Sequence, residues 1–202
     1  IHEINKINSK IDPYEINKRK DIRKLQTFTI DPSDAKDFDD ALSIDKNNDG
    51  FFNVGIHIAD VSHFLEKNSL INKEAEKRAT SVYLVDRTIP MLPEKLSNYL
   101  CSLRPDSDRL TFSVMFDINL EAQIKNIWIG KTIIHSEKRF TYKEAQKCIE
   151  KGEDNFSKGL RILNTIAKKI REKRFEDGSF NFTTKEVKFI LDENKKPINI
   201  YE

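Results

Sequence analysis

From Leu25 onward the chain falls into short runs of alternating hydrophobic and polar residues, separated by turns and by a few helical stretches. Thr27-Phe28-Thr29-Ile30 alternates like a strand and stops at Asp31-Pro32, where proline's missing N–H and fixed φ favour a turn. Ala41 to Ile44 reads as a second strand and ends in Asn47-Asn48-Asp49-Gly50. Phe52, Val54, Ile56 and Ile58 then alternate with Asn53, Gly55, His57 and Ala59, so the two runs predict an antiparallel hairpin. The clearest strand carries Leu110, Phe112, Val114, Phe116, Ile118 and Leu120, with Ile124 to Ile134 as its hairpin partner. Val187, Phe189 and Leu191 form another, turning through Asp192–Lys196 into Ile198 and Ile200.

Helices are expected between these strands. One runs from Ser69, a possible N-cap, to Ala79. Pro93 opens another that carries Leu96, Leu100 and Leu103. Thr141 with Glu144 is a capping box, and Phe156, Leu160, Leu163, Ala167 and Ile170 mark a longer amphipathic helix ended by Asp177-Gly178. Residues 1–24 are rich in charge, Asn and Lys, with only a weak apolar stripe (Ile4, Ile7, Ile11, Tyr14, Ile16), and read as a connector with a short helix. Paired strands with helices in separate blocks predict an α+β fold: a mostly antiparallel sheet flanked by helices over residues 25–202.

Composition narrows the chemistry. At 38% hydrophobic and 34% charged the chain has enough apolar residues for a core. Its net charge of +2 gives no global pull toward nucleic acid or membrane. Cys101 and Cys148 stand far apart with no CxxC partner, which excludes a disulfide framework and a zinc signature. No apolar run approaches the roughly 20 residues of a spanning helix, and no secretory signal pattern opens the chain, so a cytoplasmic protein without membrane contact is expected. The start at Ile1 and the end at Glu202 read as cuts inside a longer protein.

The chemical signal is Asp31-Pro-Ser-Asp-Ala-Lys-Asp-Phe-Asp-Asp-Ala41, with five carboxylates between Asp31 and Asp40. Asp31 ends one strand, and Asp37, Asp39 and Asp40 precede the next, so a loop that turns back brings them face to face. Converging carboxylates repel unless one is protonated or a cation sits among them. Hard, oxygen-seeking Mg²⁺ suits such a set, and two ions held about 3.5–4 Å apart activate water and stabilise the leaving oxygen in phosphodiester hydrolysis. An acidic turn facing solvent is the commoner meaning of such a run. Phe38 and Ala41-Leu42 weigh against it by drawing the loop toward the core. The Gly and terminal Glu of an EF-hand are absent at the needed offsets.

This segment resembles the signature of the RNase II / RNase R catalytic (RNB) domain. Further pieces follow in the same order: Ile58-Ala-Asp-Val-Ser62, Arg78-Ala-Thr-Ser-Val-Tyr83, Ile89-Pro-Met-Leu-Pro-Glu94, Leu96-Ser-Asn98 and Leu100-Cys-Ser-Leu103. The resemblance spans roughly Leu25 to Tyr201 and implies hydrolysis of single-stranded RNA from its 3′ end to nucleoside 5′-monophosphates. By the same resemblance, Asp31, Asp37, Asp39 and Asp40 are the Mg²⁺-binding catalytic quartet, with one or two ions and with Asp39 the most critical. Asp34 is solvated or structural. Tyr83 is implied to stack on the 3′-terminal base, and Phe182, in Gly178-Ser-Phe-Asn-Phe182, to face it as a clamp. Arg78, Arg87, Lys95, Arg104 and Arg109 are candidates for phosphate contacts, although each taken singly reads as an ordinary surface charge.

His57, like His2, His63 and His135, reads as structural, and Ser102 as packing at a helix end rather than a nucleophile. The family's domain continues beyond the position of Glu202 and is flanked by OB-type RNA-binding barrels. Residues 1–24 are therefore expected to connect to an upstream barrel, and an uncovered apolar face is expected where further chain would pack. A monomer is expected. Two other functions stay open: a non-catalytic RNA-binding or regulatory relative that keeps the fold, and a metal-dependent phosphohydrolase of small nucleotides.

Overall fold

The computed structural model describes residues 2–47, 49–182 and 187–201, so Asn48 of the expected Asn47–Gly50 turn lies outside the described residues. Two short helices, α1 (His2–Lys6) and α2 (Pro13–Asn17), precede strands β1 (Lys20–Asp21), β2 (Thr27–Asp31), β3 (Asp40–Lys46) and β4 (Phe52–Ala59). Next come a 3₁₀ turn at Val61–Phe64, helix α3 (Leu70–Arg78), a small ribbon β5 (Val82–Tyr83) and β6 (Thr88–Ile89), and a π-helical turn at Lys95–Leu100. The long strands β7 (Ser107–Ile118) and β8 (Ile124–Thr141) lead into α4 (Tyr142–Lys151) and α5 (Asn155–Glu176). The hairpin β9 (Lys188–Leu191) and β10 (Pro197–Tyr201) ends the described chain.

The α+β expectation holds, and the sheet is closed. Its order is β1-β8-β2-β3-β4-β7, and β7 pairs back onto β8. Strand β8 makes the closure because it is long enough to serve two neighbours. Its first two thirds pair antiparallel with β7, and its end pairs parallel with β2, Thr29 opposite Arg139 and Asp31 opposite Thr141. Strand β1 adds to β8 in parallel beside β2, so the sheet is mixed, with its other ladders antiparallel.

The capping box forms as expected. The Thr141 hydroxyl accepts from the Glu144 N–H, and the Glu144 carboxylate accepts from the Thr141 N–H. Ser69 caps α3 by accepting from the Asn72 N–H at 3.1 Å. Helices α4 and α5 cover the outside of β2 and β3. There Phe28, Phe140 and Phe156 meet edge to face, with ring centroids 5.6–5.9 Å apart.

Alternation located the strands, but the polar-lettered face is the one sealed inside. Thr27, Thr29, Ser43, His57, Thr111, Ser113, Thr132 and Ser136 are all buried within the closed sheet. His57 bonds through Nδ1 to Ser113 Oγ at 2.7 Å and through Nε2 to Ser43 Oγ at 2.9 Å. Thr132 Oγ1 joins Thr111 Oγ1 at 2.6 Å and Ser113 Oγ at 2.5 Å. Gly55 makes room for the imidazole, since a Cβ there would come within 2.6 Å of its ring. Met115 and Ile134 join the inner core with Ala41 and Ala59, while other apolar letters of β4, β7 and β8 face outward. Ile58 at 49%, Phe112 at 46% and Ile129 at 59% exposure form an uncovered apolar face.

The segment before Leu25 is docked on this body. The Lys95 ammonium donates to the carbonyls of Ile4 and Ile7, and the Glu3 carboxylate accepts from the Leu70 and Ile71 N–H groups at the start of α3. Arg19 is buried and reaches Asp60 at 2.7 Å. Burial alone would raise the Asp60 pKa, but the Ser62 hydroxyl and the Arg19 guanidinium hold it below the ordinary range. Removing one partner of such a pair strands the other charge, typically at about 3–5 kcal/mol.

Burial lowers the His57 pKa from 6.5 to about 4, so the ring is neutral in the folded protein at pH 7. The unfolded chain binds a proton below pH 6.5 that the native state refuses until about pH 4, so stability is lost as pH falls through that window. At about 1.4 kcal/mol per pH unit, the loss reaches roughly 3 kcal/mol. Denaturant unfolding between pH 7 and 4 should show this decline, and His57→Gln should flatten it.

Candidate functional site

The acidic segment occupies one rim of the closed sheet. Strands β2 and β3 pair through Thr27–Ser43 and Phe28–Leu42, which puts Asp31 at the end of one and Asp40 at the start of the other on the same side. Residues 32–39 between them have no regular structure. Their backbone is tied down piece by piece instead. The Ala35 N–H closes a turn on the Pro32 carbonyl, which also accepts from the Arg139 guanidinium. The Phe38 carbonyl accepts from the Leu103 N–H at 2.8 Å, and the Asp39 carbonyl from the Ala59 N–H at 2.9 Å. Phe38 packs against the core cluster of Leu96, Cys101 and Leu103, with the Arg139 guanidinium 5.4 Å from its ring centre.

The carboxylates feel one another. Asp31 is buried and accepts from the Thr29 hydroxyl at 2.5 Å. Burial raises its pKa, Thr29 and Arg139 oppose the rise, and Asp40 and Asp37 add to it. Asp39 is exposed to solvent. Its pKa is raised first by desolvation and then by the charges of Asp37, Asp40 and Asp31. Cys101 beneath the loop is pushed up to about 12 by burial, with Asp39 and Asp60 contributing, so its thiol stays protonated. Asp34 points to solvent.

Tyr83 joins this group. Its hydroxyl donates to an Asp37 carboxylate oxygen at 3.2 Å, while its side chain is 68% exposed on the β5–β6 ribbon. Partial burial and the Asp37 charge raise the phenol's pKa. The structure therefore brings Asp31, Asp37, Asp39, Asp40 and Tyr83 together. Phe182 lies past the end of α5, 86% exposed and tilted against Phe180 with centroids 6.4 Å apart. No aromatic contact between Phe182 and Tyr83 is found among the described residues.

The cations divide into two kinds. Arg78 is held by Glu74 and the Pro90 carbonyl, Lys95 by the N-terminal segment, and Arg109 by the carbonyls of Ser102 and Asp108. Burial lowers the Arg109 pKa, with the nearby Arg104 charge adding to it. Arg87 pairs with Asp86 at 3.0 Å in solvent, and the exposed Arg104 lies 5.3 Å over the Tyr99 ring. Two contributors had no local pattern to reveal them. Arg139 stands near the end of a long alternating strand, and only the β2–β8 pairing sets it beside the loop. Ser102 follows a short helical turn and reaches the loop across 64 residues of sequence.

Among the described residues, no three or more His, Cys, Asp or Glu side chains close around a single point as a finished metal cage. The donor set nevertheless suits a hard divalent cation in chemistry and charge. Its four members are carboxylates, and burial together with the neighbouring aspartate charges raises the pKa of Asp31 and Asp39. No helix among the described residues is long and apolar enough to cross a membrane.

A closed sheet with an acidic rim and an aromatic beside it defines the class, and comparison with known proteins agrees. The family model described as the RNB domain matches residues 19–202, and the chain belongs to this ribonuclease family. Among its relatives is Ribonuclease R of Aquifex aeolicus (strain VF5), 39% identical over all of this chain and 29% of that protein. Another relative is named Inactive exonuclease DIS3L2 of Arabidopsis thaliana, 40% identical over 91% of this chain and 19% of that protein. A solved structure of Mycoplasma genitalium RNase R in complex with ribose methylated single-stranded RNA superposes with a TM-score of 0.90. It is 31% identical and covers 99% of this chain and 32% of its own. The chain thus spans under a third of the length of these proteins.

The raised pKa of Asp39 has a consequence for stability. A folded-state pKa above the unfolded one favours folding fully below the unfolded value, and that benefit is lost as pH rises through the folded one. At neutral pH without divalent ions, Asp39→Asn should therefore stabilise the protein. Solvent screening limits the gain to about 1 kcal/mol or less. Added Mg²⁺ should raise the melting temperature of the wild type more than that of the variant, as read by differential scanning calorimetry.

Proposed function

We propose that this chain forms the carboxylate-bearing part of a 3′→5′ exoribonuclease that hydrolyses single-stranded RNA to nucleoside 5′-monophosphates with Mg²⁺. The observation that carries the reading is the Tyr83–Asp37 hydrogen bond, which fastens an exposed aromatic ring to the edge of the acidic group. The solved RNase R complex with single-stranded RNA supports the choice of substrate.

In this reading Asp31, Asp37, Asp39 and Asp40 hold one or two divalent ions. The ion's contribution is to activate water and to stabilise the departing oxygen. Asp39, which the charges of the other three reach, orients the attacking water toward the phosphorus of the terminal nucleotide. The bond from that phosphorus to the 3′ oxygen of the preceding nucleotide breaks, a proton goes to that oxygen, and a 5′-monophosphate leaves. Tyr83 stacks on the terminal base through its π face, which any base satisfies. Arg87 and Arg104 extend from solvent toward the phosphates. Arg78 and Arg109, occupied by carbonyls, shape the walls beside them. Phe182 closes on the opposite side of the base only if the segment after α5 moves toward Tyr83. The parent protein is taken to be a cytoplasmic monomer.

The Arabidopsis relative named inactive favours a second reading, an RNA-binding protein that keeps the fold without turnover. The full-length natural protein, given 3′-labelled single-stranded RNA and Mg²⁺, separates the two. Release of labelled mononucleotide that Asp39→Asn lowers by about a hundredfold or more supports the enzyme. Undiminished release by the variant contradicts the assigned chemistry, and RNA binding without release supports the second reading. Tyr83→Ala should raise KM about tenfold, in keeping with the loss of about 1–3 kcal/mol of stacking. An unchanged KM would remove Tyr83 from the RNA path.

A further inference from the structure

The loop that carries the aspartates has no ladder of its own, so its backbone groups need partners from elsewhere. Ser102 supplies two. Its hydroxyl accepts from the Phe38 N–H at 3.0 Å and donates to the Lys36 carbonyl at 3.1 Å. These groups belong to the two peptide planes on either side of Asp37, so one side chain sets the direction in which Asp37 leaves the backbone. The next residue, Leu103, continues the attachment through its N–H to the Phe38 carbonyl, one peptide before Asp39.

Ser102 is itself fully buried, and its carbonyl accepts from Arg109 Nε at 2.8 Å. Its hydroxyl has both donor and acceptor engaged and faces the loop backbone, which leaves it no part as a nucleophile. Removing the hydroxyl leaves an N–H and a carbonyl without their partner in a tight contact, a situation the loop relieves by shifting. The shift has a ready direction, because the carboxylates above it repel one another.

We infer that Ser102 is a positioning residue for the acidic loop, fixing the backbone on either side of Asp37 so that a divalent ion has only side chains, and not the loop, to rearrange. The inference rests on the metal-dependent reading above. It assigns a role to a residue that touches neither RNA nor ion, and it makes Arg109 the anchor of that residue.

The test is calorimetric titration of Mn²⁺ alone into the full-length natural protein, with hydrogen exchange followed at the Phe38 amide. Ser102→Ala is expected to weaken Mn²⁺ binding about tenfold, as loss of an outer support of a metal site does, and to speed exchange at Phe38. Leu160→Ala, a cavity in a core cluster separate from the one that holds Phe38 and Leu103, should lose stability but keep Mn²⁺ affinity within twofold of wild type. Wild-type affinity in Ser102→Ala overturns the inference, as does an equal loss in Leu160→Ala. If Ser102→Ala does not fold, Ser102→Cys is read in the same way, and wild-type affinity there overturns it equally. A wild type that binds no Mn²⁺, or an Asp39→Asn protein that binds it unchanged, overturns the metal reading and this inference with it. Failure of Ser102→Ala alone, with Asp39→Asn impaired, leaves the metal reading standing.

Discussion

Four like charges held at one rim of a closed sheet govern the rest of this structure. Desolvation disfavours the ionised forms of Asp31 and Asp39, and the charges of the neighbouring aspartates add to the cost. A loop left to itself would splay these side chains into water. Here Arg139 holds the start of the loop, Ser102 and Leu103 hold its middle, and Ala59 holds its end. Stored repulsion of this kind is stability given up for readiness to take a cation.

The closed sheet makes that restraint possible. Closure through β8 fixes the mutual positions of β2, β3 and β4, which carry Asp31, Asp40 and Ala59. Part of its interior is a network in which His57, Ser43, Ser113, Thr111 and Thr132 bond to one another, a packing that tolerates few alternative arrangements. Gly55 and His57 fit together because one has no side chain. The outward turn of Ile58, Phe112 and Ile129 follows from the same choice. With polar groups on the inner side of their strands, these three residues are left on the outer surface.

Much of this was legible in the sequence, and the reasons differ from place to place. Strand positions and the capping box at Thr141 depend on local periodicity and short-range bonding, so they could be read directly. The convergence of Asp31 with Asp40 followed from a hairpin with a loop between its strands. The sidedness of β4 and β7 was hidden, since alternation gives a period without saying which face is inside. Closure was hidden as well, because it depends on one strand serving two partners. Arg139 and Ser102 were invisible for a related reason: each acts on the loop from far along the chain, through contacts that only the topology creates. Arg109, taken from the sequence as a phosphate ligand candidate, is occupied by backbone carbonyls. Phe182, taken as a clamp, lies beside Phe180.

The central claim is that the acidic rim is built to gather around a divalent cation. Crystals of the full-length natural protein soaked in Mn²⁺ and measured at the manganese absorption edge locate the ion without reference to activity. The account predicts an anomalous peak within coordinating distance of carboxylate oxygens from Asp39 and from at least one of Asp31, Asp37 and Asp40. Manganese bound elsewhere, with these four side chains turned apart toward bulk water, would contradict it.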